Sequence, residues 1–364
     1  MPARHPLLVL AACLLVSAAL TAVDHASEAP LPSDSLELAT GATMLINSPQ
    51  NRTLVLGLLE RARQNGSELY ALGGPPFSLR VSFTAAGQAE YTGSGEMEEI
   101  RYSRDLWRWS ARLGDYSQVR IFHNRIAYDE RTPGPIPLRL QMLRGAVLWS
   151  MARVRPGVAM RMASAKWNGM DVMCGLLATE VEPAMTPGRG WGEREYCVDP
   201  KAGLLRVYSD APGIYVTYDY NDALNFHGRI LARRITVSEG GDTVLQIHVD
   251  SLEDPGPADA NAFKPNPQML ANGPGVVLRP PIRLSDVAPS PSGYEGTVQP
   301  VIVHVTIDNQ GKVKEAEVLQ ASDPILSNAA LAWVQRETYS TMRNGQGIPM
   351  QDEAFIQVSF GATH

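Results

Sequence analysis

At 364 residues with a formal net charge of −6, the chain is too long for one ordinary domain and too acidic to take nucleic acid or an anionic membrane surface as its main partner. Hydrophobic residues at 44% and charged residues at 19% supply enough apolar material for globular cores, which excludes a disordered or fibrous chain.

At the N-terminus, Arg4 and His5 precede an apolar run from Leu7 to Val23, the charged and apolar regions of an export signal. Ser17-Ala18-Ala19 and Ser27-Glu28-Ala29 offer small residues for cleavage, so residues 1–29 read as a signal peptide. An uncleaved inner-membrane anchor is the alternative, because about seventeen apolar residues lies near the short limit for spanning a bilayer. No later run could span, and the remainder is expected in the periplasm. Cys13 lies inside the apolar run, which leaves Cys174 and Cys197. An even pair in an oxidising compartment predicts a disulfide, closing a loop of about 22 residues and contributing on the order of 3 kcal/mol. Two buried free thiols are the alternative. No His or further Cys stands at ligand spacing beside them, so no metal site is expected.

From Ser48 to Gly66 the pattern is helical, with Leu54, Val55, Leu58, Leu59 and Ala62 as the apolar stripe. After Gly73-Gly74-Pro75-Pro76, the residues Phe77, Leu79, Val81, Phe83 and Ala85 alternate with polar ones and predict a strand. Strands follow at 96–102 and at 106–113, the latter with Trp107, Trp109 and Ala111 opposite Arg108, Ser110 and Arg112. Val119 and Ile121 then lead through His123-Asn124 to Ile126 and Tyr128, a hairpin pattern. A second helix over 137–150 carries Leu138, Met142, Leu143, Ala146 and Val147. Short strands return at 161–167, 171–180, 193–199, 203–208, 214–220, 229–238 and 243–252. So many antiparallel strands with two interrupting helices predict an α+β fold, a curved half-open barrel wrapped around helices.

Over residues 35–266 this layout resembles the LolA/LolB lipoprotein-carrier fold. The likeness rests on Tyr196-Cys197-Val198-Asp199-Pro200 running into Gly203-Leu204-Leu205, on Tyr218 to Phe226, and on Gly228-Arg229-Ile230 before Ile235-Thr236-Val237. Ala262-Phe263-Lys264-Pro265 then closes the domain. The resemblance is one of architecture and places no carrier residue on this sequence. Phe77, Phe83, Trp107 and Trp109 read as core packing between sheet and helices, and the lining of an apolar cavity for a lipid acyl chain is the alternative for the same four residues.

Residues 267–291 are dense in Pro and Gly and read as a semi-stiff, extended linker. At about 3 Å per residue it reaches at most roughly 80 Å. Beyond it, Val301, Val303, Val305 and Ile307 alternate with polar residues, and Asp308-Asn309-Gln310-Gly311 supplies a turn in which Gly311 can take positive φ. A second strand runs from Lys312 to Ala321. Asp323-Pro324 opens a helix carrying Leu326, Ala329, Ala330, Trp333 and Val334, and a last strand spans Ala354 to Phe360. Gly311-Lys312-Val313, Ala329-Ala330-Leu331 with Trp333, Gly347-Ile348-Pro349 and Val358-Ser359-Phe360 stand in the order found in the TonB C-terminal domain, which residues 290–362 resemble. Two spots depart from that family: Tyr339-Ser340-Thr341 replaces an aromatic-x-Pro, and Tyr294-Glu295 replaces a Tyr-Pro. The resemblance implies a ββαβ domain in residues 292–362 whose last strand, Ala354, Phe355, Ile356, Gln357, Val358, Ser359 and Phe360, takes up an extended partner segment by strand addition. An edge covered within the chain or paired in a homodimer is the alternative.

Catalytic chemistry finds little support. The seven histidines are scattered, and His304 falls on the polar face of its strand, which assigns it to solvent. Gly93-Ser94-Gly95 lacks the strand-then-helix context of a phosphate loop, and Glu96, Glu98 and Glu99 read as a solvated strand face. No catalytic residue, cofactor or metal is therefore expected. The expected function is a non-enzymatic cell-envelope coupling module linked to outer-membrane transport, binding an envelope protein such as a receptor segment. A periplasmic carrier of lipid acyl chains or lipoproteins is the alternative.

Overall fold

Most runs of alternating apolar and polar residues become strands in the computed structural model. It describes residues 44–45, 49–67, 69, 74–87, 91–123, 125–133, 136–148, 151, 154, 158–178, 193–275, 282–294, 300–321, 323–341 and 349–361. The signal or anchor segment at 1–29 lies outside the described residues, as do Asn124 and 276–281 of the expected linker. Among the described residues no helix is long and apolar enough to cross a membrane.

The N-terminal unit begins with β1 (Met44–Leu45) and helix α1 (Pro49–Ala62), which continues as a π-helical turn at Arg63–Ser67. Then come β2 (Phe77–Ala85), β3 (Gly93–Ser103), β4 (Leu106–Leu113), β5 (Tyr116–His123), β6 (Ile126–Arg131) and helix α2 (Leu138–Leu148). A second run follows: β7 (Ala159–Trp167), β8 (Met170–Ala178), β9 (Glu193–Asp199), β10 (Leu204–Ser209), β11 (Ile214–Asp219), β12 (Leu224–Phe226), β13 (Arg229–Leu231), β14 (Arg234–Glu239) and β15 (Asp242–Glu253). Apart from the β12–β13 hairpin, these strands form one 13-stranded sheet in the order β1-β7-β8-β9-β10-β11-β14-β15-β2-β3-β4-β5-β6. Among the described residues its ends, β1 and β6, do not pair with each other, so the sheet is open, as the half-open barrel reading requires. The long-range join is β15 against β2, with Ile247 opposite Phe83.

Period-two burial sets the inner face. Phe77, Leu79, Val81, Phe83 and Ala85 of β2 are all buried, while Arg80, Ser82 and Thr84 point outward and are exposed. Val55, Leu58, Leu59 and Ala62 of α1 and Leu140, Leu143, Ala146 and Val147 of α2 fill the same core. Each such side chain, fully buried, contributes roughly 1.5–3 kcal/mol when it is of Val or Leu size. Leu54, expected in the α1 stripe, is instead 61% exposed, one position off the face that meets the sheet.

Two expectations need correction. The strand expected over 229–238 is two short strands broken at Ala232-Arg233: β13 turns back onto β12 through His227 and Gly228, both at positive φ (48° and 78°), whereas β14 joins the main sheet between β11 and β15. The Pro-rich join is also not wholly an extended connector. It contains a short helix, α3 (Pro267–Asn272), capped by Asn266, and a strand, β16 (Ile282–Pro289). Phe263 and Met269 cover Ile121 on the outer face of β5 before the chain leaves the domain.

In the C-terminal unit, β17 (Val301–Ile307), β18 (Val313–Gln320), helix α4 (Pro324–Val334) and β19 (Asp352–Gly361) follow the expected ββαβ order. Gly311 takes φ 85° in the turn, where a Cβ would lie 2.3 Å from the Tyr339 carbonyl oxygen. Asp323 caps α4, its Oδ1 accepting from the Ile325 N–H at 2.6 Å. With β16 included, the sheet has four strands in the order β16-β19-β17-β18. One face buries Val301, Val303, Val305 and Ile307 with Ile356 and Val358 under Leu326, Ala330 and Val334 of α4. The opposite face packs on the N-terminal unit, where Ile302, Leu319 and Phe355 meet Ala211 and Ile214.

Candidate partner-binding edge

Strand β19 lies inside its sheet. On one side it pairs antiparallel with β17, placing Val303 opposite Ile356 and His304 opposite Phe355. On the other it pairs parallel with β16, from Ile282 opposite Ala354 to Pro289 opposite Gly361. Ala354, Ile356, Val358 and Phe360 are buried under α4, and Phe355 is buried against the N-terminal unit. Five of the seven side chains proposed from sequence for partner binding are therefore already packed, and Gln357 and Ser359 are half-buried. What this edge offers a partner is its main chain, at present taken by residues of the same protein.

The segment that takes it is lightly held. Of β16, Ala288 is buried and Leu284 packs against the core, but Ser285 and Pro289 are exposed and Val287 is 63% exposed. Asp286 supplies the specific contact, its Oδ2 accepting from the Tyr339 hydroxyl at 3.1 Å. Burial, and then the Asp286 carboxylate, pushes the Tyr339 phenol well above its ordinary range, so it stays a donor. Tyr339 is itself placed by its N–H donating to the Gly311 carbonyl at 2.9 Å. On the other face, Arg283 Nη1 donates to the Asp210 carbonyl at 3.0 Å. Sequence reasoning missed β16. Its signal was the alternation of Ile282, Leu284 and Ala288, interrupted by Asp286 and masked by the surrounding prolines.

The disulfide joins Cys174 and Cys197, direct cross-strand partners on β8 and β9, each 0% exposed. Of the four residues considered for an apolar cavity, Phe77, Phe83 and Trp109 are buried in the core formed with α1 and α2. Trp107 is half-buried and stacks on Phe122 at 5.4 Å. The Arg144 guanidinium lies 5.4 Å from the Trp107 ring and 5.6 Å from that of Trp109, and reaches Glu99 at 3.4 Å. Burial raises the Glu99 carboxyl above its ordinary range although Arg144 opposes the shift. Glu99 is thus 0% exposed on the inner wall, Glu98 is half-buried, and Glu96 alone of the three acids is exposed. A groove of ≈ 820 Å³ opens on the same strands and is lined by charged residues such as Arg80, Arg108, Arg112, Glu96, Glu98 and Glu130.

His304 is also not where its strand pattern put it. It is 5% exposed, because the face of β17 away from α4 is covered by the N-terminal unit. Its Nε2 lies 3.3 Å from Glu353 Oε2, near Glu317 of β18, Glu239 of β14 and Arg139 of α2. Burial lowers the imidazole pKa, but Glu353 and Glu239 outweigh it and hold the ring above its usual value.

Residues 291–360 match the family of Gram-negative bacterial TonB protein C-terminal domains, in agreement with the likeness read from Gly311-Lys312-Val313 and Val358-Ser359-Phe360. The chain is similar to two solved structures. One is an outer membrane lipoprotein-sorting protein domain from Vibrio parahaemolyticus, at 9% identity and TM-score 0.34, covering 57% of this chain and 95% of the other. The second is a LolA superfamily protein from Nitrosomonas europaea, at 11% identity and TM-score 0.34, covering 57% and 96%. At that TM-score neither structure bears on function. No curated protein matches the chain in sequence.

Proposed function

We propose that this is an exported, non-enzymatic envelope protein whose C-terminal sheet couples to a partner by strand exchange, β16 giving way to an extended partner segment laid parallel along Ala354–Phe360. The observation that supports this most is the parallel pairing of Ile282–Pro289 with β19: an extended segment sits on this edge, bound largely through its main chain, as strand addition requires. The match of residues 291–360 supports the envelope setting and a link to outer-membrane transport. A suitable partner segment carries apolar or small residues at the positions of Leu284 and Ala288 and an acid at that of Asp286, to meet Tyr339.

The test replaces residues 282–289 by a Gly/Ser sequence in the otherwise complete chain and titrates it with a labelled peptide of residues 281–290. Saturable binding, lost with a scrambled peptide, is expected. A chain that keeps its far-UV spectrum and binds neither peptide removes the proposal. No observation favours the acyl-carrier alternative, since Phe77, Phe83 and Trp109 pack against α1 and α2 and Arg144 covers Trp107.

A further inference from the structure

Where the two units meet, four acidic or imidazole side chains from three strands of one sheet and the end of a strand of the other converge. Glu239 is 3% exposed and His304 5%, and Arg139 Nη1 donates to Glu239 Oε2 at 2.7 Å from a side chain that is itself 0% exposed. The second oxygen, Glu239 Oε1, is buried without a hydrogen-bond partner, and so is Glu317 Oε2. One ligand atom from each of Glu239, His304 and Glu317 lies within 4.8 Å of the other two. Glu353, on the adjacent strand, contacts His304 through Nε2.

Charge makes the arrangement unusual for a domain interface. Three carboxylates, Glu239, Glu317 and Glu353, face one guanidinium and one imidazole, with Glu239 and His304 buried and Glu317 and Glu353 partly buried. Buried carboxylate oxygens without donors are costly unless a cation or a proton joins them.

We propose that Glu239, His304 and Glu317 bind a divalent transition-metal ion of the zinc type across the interface between the two units. One imidazole with two carboxylates and no thiolate is a donor set that zinc accepts, at metal–ligand distances of about 2.0–2.2 Å. Small rotamer changes bring atoms already within 4.8 Å of one another to bonding distance from one shared ion. Glu353 acts as a positioning residue that orients the His304 ring, and Arg139 orients Glu239 in the same way. Because Glu239 belongs to the N-terminal sheet and His304 and Glu317 to the C-terminal one, the ion couples its own binding to the docking of the two units. The site stands apart from the β16–β19 edge and does not depend on the strand-exchange reading. It was illegible in sequence because its ligands follow no short-range spacing.

The test uses the untagged full chain, oxidised at Cys174–Cys197, freed of metal by chelation and titrated calorimetrically with zinc chloride. One ion per chain is expected, with an upward shift of the thermal midpoint. His304→Ala and Glu317→Gln should lose saturable binding and the thermal shift while keeping the wild-type far-UV spectrum. Glu353→Gln should weaken affinity about tenfold. Absence of zinc binding by the wild-type chain overturns the proposal, as does unchanged affinity in Glu317→Gln, the near-isosteric variant that retains the fold if His304→Ala does not. Tighter binding of calcium than of zinc overturns the assigned metal class.

Discussion

Asp286→Ala should make the β19 edge easier to occupy from outside. In the folded chain Asp286 Oδ2 accepts from the Tyr339 hydroxyl at 3.1 Å. Hydrogen bonds to charged groups contribute about 1.5–3 kcal/mol, and a half-buried pair belongs at the lower end, near 1.5 kcal/mol. Removing the carboxylate weakens only the chain's own strand. A peptide of residues 281–290 supplied in trans keeps its aspartate and regains the Tyr339 contact once seated. The balance therefore moves toward the peptide by about 1.5 kcal/mol, a roughly tenfold lower apparent Kd. Fluorescence anisotropy of the labelled peptide against wild type and Asp286→Ala reads this directly. An unchanged or higher Kd in the variant would refute the latch role of Asp286, provided that the peptide binds the wild-type chain at all.

Ile356→Ala, at a position 0% exposed between β17 and α4, should destabilise the C-terminal unit by about 2–5 kcal/mol in urea denaturation; a change below about 1 kcal/mol would contradict the packing. For the same reason Ile356→Pro should unfold that unit rather than uncouple binding from folding. Replacing both Cys174 and Cys197 by Ser should lower the stability of the N-terminal unit by about 2–4 kcal/mol, measured by thermal or denaturant unfolding under non-reducing conditions. Burial raises the Asp199 carboxyl, but the Ala202 and Lys201 N–H groups and Arg206 outweigh it and hold the carboxyl below its ordinary range. Its stabilisation is then present above the unfolded-state value of about 3.9 and is lost as pH falls through the lower folded value, so Asp199→Asn should flatten the acid limb of the urea midpoint between about pH 5 and 2. A limb as steep as that of wild type would contradict the assignment. A fluorescent fatty acid should show no saturable uptake, and stoichiometric uptake would restore the carrier reading.

Local chemistry explains what was legible from sequence. The alternation in β2 and β17 fixed which residues face each core, and Asp323-Pro324 marked the start of α4 to the residue. Cys174 and Cys197 could be paired by counting, although that they sit directly opposite each other on β8 and β9 is a matter of register. Non-local features stayed hidden. The strand β16 carries an acid in the middle of its inward face, because Tyr339, far along the chain, supplies that acid with a donor. His304 reads as solvated from its own strand, and the groups that bury it, Arg139 and Glu239, belong to another sheet and helix. The strand proposed for partner binding reads from sequence as an exposed edge, but a segment of apparent linker covers it.

The claim that β16 must leave before a partner can seat is tested most directly by tying it down. Ser285 and Gln357 are register partners across the parallel β16–β19 pair, so Ser285→Cys with Gln357→Cys places two thiols at neighbouring positions. The oxidised double variant should lose binding of the 281–290 peptide and regain it on reduction, with the wild-type chain treated alike to control for Cys174–Cys197. Equal binding by the oxidised and reduced forms would mean that the peptide docks elsewhere and that β16 is simply a fixed strand of the sheet.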